Sequence, residues 1–307
     1  MYKIIFALMC CAYNVCACDF CGGSPTVMNS DLLSLQPQSS LGINTIFRKF
    51  NYPTEENSLH QTILLNTNFT AAYAPNKRIE LRANLPFIWV VNDMAQSKEK
   101  NVGLGDMSIM SNFKVLNISG LETKKLVGHT MVLGCGIELP TGKNKKLTDN
   151  RLQNFNIGSK STDFLFSGVY SLNYQKWNII GAGLVKINTK NKEHVRFGHL
   201  YSMQTGTAYI QNIKQSQFIP NVGVRMEIQQ KNLHKNIIQD FTGSKVLFFQ
   251  FGTDLNIQNW NLGMQIQQPI MQNTANNTIK QGTNFNIKCN FLIRKNKETT
   301  DQLCNLN

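Results

Sequence analysis

Between Leu59 and Arg294 apolar and polar residues alternate with a period of two in one segment after another, and tight turns alternate with long polar loops between the segments. A period of two is that of a strand, whose successive side chains point to opposite faces. From Leu59 to Tyr73, one face carries Leu59, Gln61, Ile63, Leu65, Thr67, Phe69, Ala71 and Tyr73, and the other His60, Thr62, Asn66, Asn68 and Thr70. The first face suits lipid and the second suits water. A strand sits in a bilayer only when its backbone is paired along both edges, so the pattern predicts an all-β fold: a single antiparallel up-and-down transmembrane β-barrel.

The same periodicity places about twelve strands, near 41–50, 59–74, 78–91, 104–116, 127–139, 162–174, 177–188, 199–211, 217–229, 245–257, 260–270 and 283–294. Turns at Pro75–Lys77, Gln175–Lys176 and Gln258–Asn259 are tight, and Asn212–Ser216 is slightly longer. These belong on the periplasmic side, whereas the long, mostly lysine-bearing connections near 51–58, 92–103, 140–161, 189–198, 230–244 and 271–282 belong outside. Asn117–Leu126 breaks the alternation, being longer than a periplasmic turn should be. Phe69, Tyr73, Trp89, Tyr174, Trp177 and Trp260 lie near strand ends, as interfacial aromatic girdles do. A soluble sandwich would also alternate, but its connections would be of similar length at both ends.

Composition narrows the class. Of 307 residues, 42% are hydrophobic and 16% charged, with a mean hydropathy of −0.24. After the first residues no apolar run is long enough for a spanning helix. The net charge of +13 could suggest nucleic acid, but the lysines are scattered through the connections and no binding motif accompanies them. Nucleic acid is therefore not an expected partner.

Lys3, the apolar run Ile4–Ala12 and the small-residue site Val15-Cys16-Ala17 read as a secretory signal peptide over 1–17. Val15-Cys16-Ala17-Cys18 also resembles a lipobox, so Cys18 is a candidate for lipidation as well as plain cleavage. The remaining segments are then a periplasmic stretch, 18–40, the barrel, 41–294, and a tail, 295–307. Cleavage leaves Cys18, Cys21, Cys135, Cys289 and Cys304, an odd number. An even-stranded barrel brings both ends to the oxidising periplasm, so a Cys21–Cys304 disulfide is expected. Cys135 and Cys289 have lipid-facing parity.

Gly103-Leu104-Gly105-Asp106 opens one strand and Leu139-Pro140-Thr141-Gly142 closes the next. In that order and spacing they resemble the outer-membrane barrel family named for the meta-pathway of phenol degradation, distantly similar to long-chain fatty-acid transporters. The Cys18-Asp19-Phe20-Cys21-Gly22 start looks like relatives in Gram-negative bacteria. The resemblance implies an outer-membrane transporter or channel. Read physically, Gly103 and Gly105 relax the backbone where a loop re-enters the sheet, Asp106 can accept bonds from free loop amides, Pro140 ends pairing, and Thr141-Gly142 opens the next loop. The chain departs from many such barrels in running past Arg294 instead of ending on an aromatic residue.

Catalytic constellations are missing from the sequence. Gly136–Lys143 has the wrong spacing for a phosphate loop, no G-x-S-x-G elbow exists, and the five histidines form no metal-binding pattern. The chain is expected to be no enzyme and to need neither cofactor nor metal. Parity instead assigns Arg78, Glu80, Arg82, Asn84, Lys114, Glu138, Asp163, Lys186, Arg225 and Glu227 to the lumen, with Asp106, Gln229, Lys288 and Arg294. These charges either pair across the lumen or line a solute path. Leu165, Val169, Ile180 and Leu184 add inward apolar groups, and Leu247, Phe249 and Phe251 form either a greasy luminal patch, a plug contact or a strand of reversed phase. The expected function is an outer-membrane channel or transporter for a small, hydrophobic solute. The alternative is a structural barrel whose basic loops, with Lys143, Lys145, Lys146 and Lys160, hold lipopolysaccharide or a partner.

Overall fold

The computed structural model describes residues 37–53, 59–94, 97–118, 127–142 and 157–293. Twelve strands form the wall: β1 Ser39–Pro53, β2 Leu59–Tyr73, β3 Ile79–Met94, β4 in two segments (Ser97–Leu104 and Met107–Ile118), β5 Val127–Leu139, β6 Asp163–Tyr174, β7 Trp177–Ile187, β8 Leu200–Tyr209, β9 Ser216–Gln229, β10 Ser244–Ile257, β11 Trp260–Thr274 and β12 Asn284–Ile293. Each pairs antiparallel with the next, and β12 returns to β1 from Ser39↔Ile293 to Phe47↔Phe285. The sheet is closed and has no free edge, which is the condition for crossing hydrocarbon without helices.

Alternation sorts the side chains. Along β2, Thr62, Leu64, Asn66 and Asn68 are buried, whereas Phe69 and Tyr73 are exposed. The outer surface continues with Leu41, Ile43, Trp89, Phe166, Ile179 and Met264, all exposed. Trp177 and Trp260, each just after a tight turn, pack on Tyr209 and Phe291 with ring centroids 5.0 Å apart. Cys135 is exposed on this outer face and Cys289 half-buried there.

The short turns have identifiable chemistry. Gln175 and Gln258 take left-handed backbone angles, φ 53° and 49°, as a two-residue hairpin turn with the twist of its strands requires. At Asn76 the side-chain oxygen accepts from the amides of Arg78 at 2.8 Å and Ile79 at 2.9 Å. That turn absorbs Arg78, so β3 starts at Ile79 and Arg78 is exposed at the rim instead of lining the lumen.

β4 is broken by one extra residue. Phe87 pairs with Leu104 but Asn84 with Ser108, which leaves Gly105 and Asp106 in a bulge. A second irregularity, at Leu247/Phe248 opposite Pro269 and Met271, lies between β10 and β11. In β10 the buried positions are Val246, Phe248, Gln250 and Asp254, while Phe249 and Phe251 are exposed. Leu247, Phe249 and Phe251 therefore face outward, and the expected greasy luminal patch is corrected. Hydrocarbon accepts the phenylalanines, but it would not accept Gln250 and Asp254.

Candidate functional site

The remaining predicted wall charges face inward and meet partners. Lys186 Nζ lies 2.5 Å from Glu138 Oε1 and 3.6 Å from Asp163 Oδ2, with all three side chains at 3% exposure or less. Arg82 pairs with Glu80 at 2.9 Å, whose carboxylate also accepts from Asn112 at 3.2 Å. Arg225 pairs with Glu227 and donates to Ser202 Oγ at 3.2 Å. Lys288 reaches Asp254 at 2.7 Å by crossing over β11, where Gly263 leaves the space: a Cβ there would stand 2.4 Å from Lys288 Cε. Asn84 bonds Ser108 at 3.3 Å, and Lys114 is buried on the same face of β4. Arg294 lies outside the described residues.

The inner wall is unequal around its circumference. On β11, β12, β1 and β2 it carries large amides: Gln265, Gln267, Asn284, Asn286, Asn44 and Asn66 are all buried. Several are linked in a directional chain, Gln281 donating to Asn284, Asn284 to Gln267 and Gln267 to Gln265, at 3.0–3.3 Å. From β6 to β10 the inward positions are small, with Ser167, Ala182, Gly206, Gly223 and Gly252, and all five are half-buried. Val169, Ile180, Gln204 and Asn221, also half-buried, complete an eccentric trough at mid-height. Leu165 and Leu184, above it, are buried.

Toward the long-loop end the lumen is filled by packing. Phe50, Leu64, Ile88 and Val90 from the wall meet Ile157 of the β5–β6 loop and Ala275 and Ile279 of the β11–β12 loop. The first five are 0–1% exposed, so they present no surface to a solute. The two sequence motifs hold this arrangement. Asp106 accepts from the amide of Gly142 at 2.8 Å and of Ser159 at 2.6 Å, and Thr141 Oγ1 accepts from Met107 at 2.8 Å. Gly142 and Gly158 touch backbone to backbone, for a Cβ on Gly158 would stand 2.8 Å from Gly142. Gly103 lies under Ile157, and Pro140 is exposed at the end of β5.

From there a collar of bonds joins the outer loops. Asn191 donates to Ser159 O at 3.1 Å, Gly198 to Asn232 Oδ1 at 2.8 Å, Asn232 to Thr242 Oγ1 at 2.9 Å, Ala275 to Gly243 O at 2.9 Å and Gly282 to Lys49 O at 2.7 Å. Within it His199 Nδ1 accepts from the Asn188 amide at 3.1 Å, and burial, then the charge of Arg196, holds its pKa below the usual 6.5. The imidazole is therefore neutral at pH 7, as an acceptor nitrogen must be. Asp106→Ala is expected to lower stability by roughly 2 kcal/mol, because two amides lose a charged acceptor, and to speed hydrogen exchange at Gly142 and Ser159. Unchanged protection of both amides would show that Asp106 does not hold the loop.

Sequence reasoning missed the amide chain, the glycine-lined trough and the inward role of Phe50 and Ile157. Cys18, Cys21 and Cys304, the signal-peptide residues, and Lys143, Lys145 and Lys146 fall outside the described residues, while Lys160 pairs with Glu193 at 2.7 Å. Among the described residues no group of three or more His, Cys, Asp or Glu side chains is placed to hold a metal.

The fold and lumen define a class, the closed twelve-stranded antiparallel barrel of outer-membrane proteins. No protein-family model and no curated protein sequence matches the chain. Among solved structures it is similar to an outer membrane channel from Pseudomonas putida F1, with a TM-score of 0.60 and 14% identity over 83% of this chain and 96% of that one. It is also similar to the beta domain of the Bordetella autotransporter BrkA (TM-score 0.47, 10% identity, 83% and 100% covered). A third likeness is to the Pseudomonas putida toluene transporter TodX (0.39, 9%, 88% and 94%). At 14% identity the first likeness is one of fold.

Proposed function

We propose that the protein is exported by the signal peptide at 1–17 and acts in the outer membrane of a Gram-negative cell as a channel or transporter for a small solute. The observation that carries this reading is the trough: a closed wall with an apolar exterior encloses inward positions with little or no side chain, among them Gly206, Gly223 and Gly252. The trough supplies a path, and the packed residues above it supply a closure at the outer mouth. Of the apolar residues behind the sequence-based case for a hydrophobic solute, Leu247, Phe249 and Phe251 face outward, whereas Leu165, Val169, Ile180 and Leu184 face inward. The apolar groups that do face inward at the mouth are packed against one another.

The full mature chain in planar bilayers should give discrete conductance steps in potassium chloride. Featureless traces from folded protein, recognised by its heat-modifiable migration on gels, would overturn the reading. One observation favours a second reading: Lys190, Lys192 and Lys235 are exposed on neighbouring outer loops, with Lys190 held by Asn236 at 3.1 Å. Such a surface suits the phosphates of lipopolysaccharide. Loss of lipopolysaccharide binding on neutralising these three, in a barrel that conducts nothing, would establish it.

A further inference from the structure

The loop between β7 and β8 is closed at its root by one ring. Asn188 is its first residue and His199 its last, and the Asn188 amide donates to His199 Nδ1 at 3.1 Å. The other ring nitrogen, Nε2, lies 3.4 Å from a guanidinium nitrogen of Arg196. Both nitrogens therefore face N–H groups, and the ring accepts from Asn188 only while Nδ1 is bare. An imidazolium has no bare nitrogen. Protonation would turn one N–H against the Asn188 amide and set a second cation beside Arg196.

The bonds that follow from this root reach the outer mouth. Asn188 Nδ2 donates to Gly198 O at 2.6 Å, and the Gly198 amide donates to Asn232 of the β9–β10 loop. The His199 carbonyl accepts from Gln230 at 2.9 Å. At the far end of the same loop Asn191 holds Ser159, two residues from Ile157 in the packed mouth. A loop freed at its root would loosen all of these.

The charges nearby give an imidazolium little relief. Asp163 on β6 favours it, but that carboxylate already accepts from the Thr189 amide at 2.8 Å and lies 3.6 Å from Lys186. Glu138 on β5, Glu227 on β9, and Glu193 and Asp240 on the outer loops are paired in turn with Lys186, Arg225, Lys160 and Lys231. Cations crowd the other side. Lys235 donates its amide to the His194 carbonyl at 3.0 Å, and His234 is the ladder partner of Val195. Burial, then Lys235 and His194, hold the His234 ring below the usual 6.5 as well. Acid therefore adds charge to loops already rich in it.

Resting on the channel reading, we propose that His199 is a pH-sensitive latch: neutral, it fastens the β7–β8 loop into the collar over the outer mouth, and protonated, it releases that loop and opens the mouth. In the fastened loop the ring is held below the usual 6.5, to which it returns on release. The latch is thus at full strength above pH 6.5 and is lost as the pH falls below that value and through the lower, fastened one.

Hydrogen exchange of the full mature protein in lipid vesicles reads the latch without reference to conduction. Corrected for intrinsic rates, protection of the Asn188 and Gly198 amides should fall about tenfold from pH 7.5 to 5.0. In planar bilayers the same step should raise potassium chloride conductance severalfold. His199→Asn sets an oxygen where Nδ1 stands and takes up no proton, so both responses should shrink to within about twofold. Arg196→Gln removes the neighbouring charge and should move the loosening to higher pH, which keeps the test open if His199→Asn does not fold. Protection unmoved by acid, or an acid response that His199→Asn retains, would overturn the latch. Protection lost in acid while conductance stays level would overturn its control of the mouth. The expected exchange response in folded protein that conducts at neither pH would overturn the channel reading and leave the latch standing.

Discussion

Lys186→Met is expected to destabilise the barrel by about 3 to 5 kcal/mol, the usual cost of removing one partner from a buried ion pair. Glu138 and Asp163 are opposite each other in the β5–β6 ladder, and both carboxylates turn to the one ammonium on β7. Methionine fills much of the volume but leaves two like charges side by side where neither is in contact with solvent. Glu138→Gln should be far milder, since Lys186 keeps Asp163 and Asp163 keeps the amide of Thr189 at 2.8 Å. Adding Glu138→Leu to Lys186→Met should recover part of the loss by removing one of the stranded charges. Denaturant unfolding in lipid vesicles, followed by the three tryptophans, measures all four proteins. A Lys186→Met loss under about 1 kcal/mol would mean that water or another cation already neutralises the pair. The consequence for function is local: the pair closes the wall above Leu165 and Leu184, so its loss should also widen the outer half of the lumen.

Which parts of this arrangement the sequence disclosed follows from where a bilayer imposes a rule. Lipid demands apolar groups at every second position, and that demand made twelve strands readable with most ends displaced by only a few residues, except that β4 begins at Ser97 within the stretch 92–103 read as a long outer loop. The rule falls silent where both faces are apolar, as in Val246–Phe251, and there the phase came out reversed. Gln250 and Asp254 held the correction, for a strand that must keep an amide and a carboxylate from hydrocarbon turns its even positions inward. At Arg78 the error was of another kind. The connection around the Asx turn at Asn76 spans 74–78, two residues more than the turn read from Pro75–Lys77, and the strand starts later. Asparagine was legible where the alternation fixed it, for Asn66 was expected on the water face of its strand and is buried in the lumen. The collar was beyond reach of local reading: the Asp106–Ser159 bond joins residues 53 apart, and periodicity carries no information at that range.

Leu65→Arg should cost roughly 2 to 4 kcal/mol, and Asn66→Arg, one residue along β2, distinctly less. Leu65 lies on the outer face, paired with Phe47 on one side and Trp89 on the other, so a guanidinium there has only hydrocarbon and aromatic edges around it. At 66 the side chain turns inward, where Asn68 Nδ2 already donates to Asn66 Oδ1 at 3.1 Å and the unpartnered oxygen of Asn44 lies within the same amide surface. An arginine at 66 finds acceptors; its penalty is crowding and one more positive charge, not desolvation in lipid. The contrast isolates the medium from the substitution, since both variants add the same group to the same strand. Vesicle unfolding of each single variant reads it directly. Depth adds a second handle, because arginine at Tyr73, near the turn, should be tolerated better than at Leu65 as the headgroups come within reach. Equal losses at 65 and 66 would mean that β2 does not separate hydrocarbon from lumen, and the inward placement of Asn44, Gln250 and Asn286 would go with it.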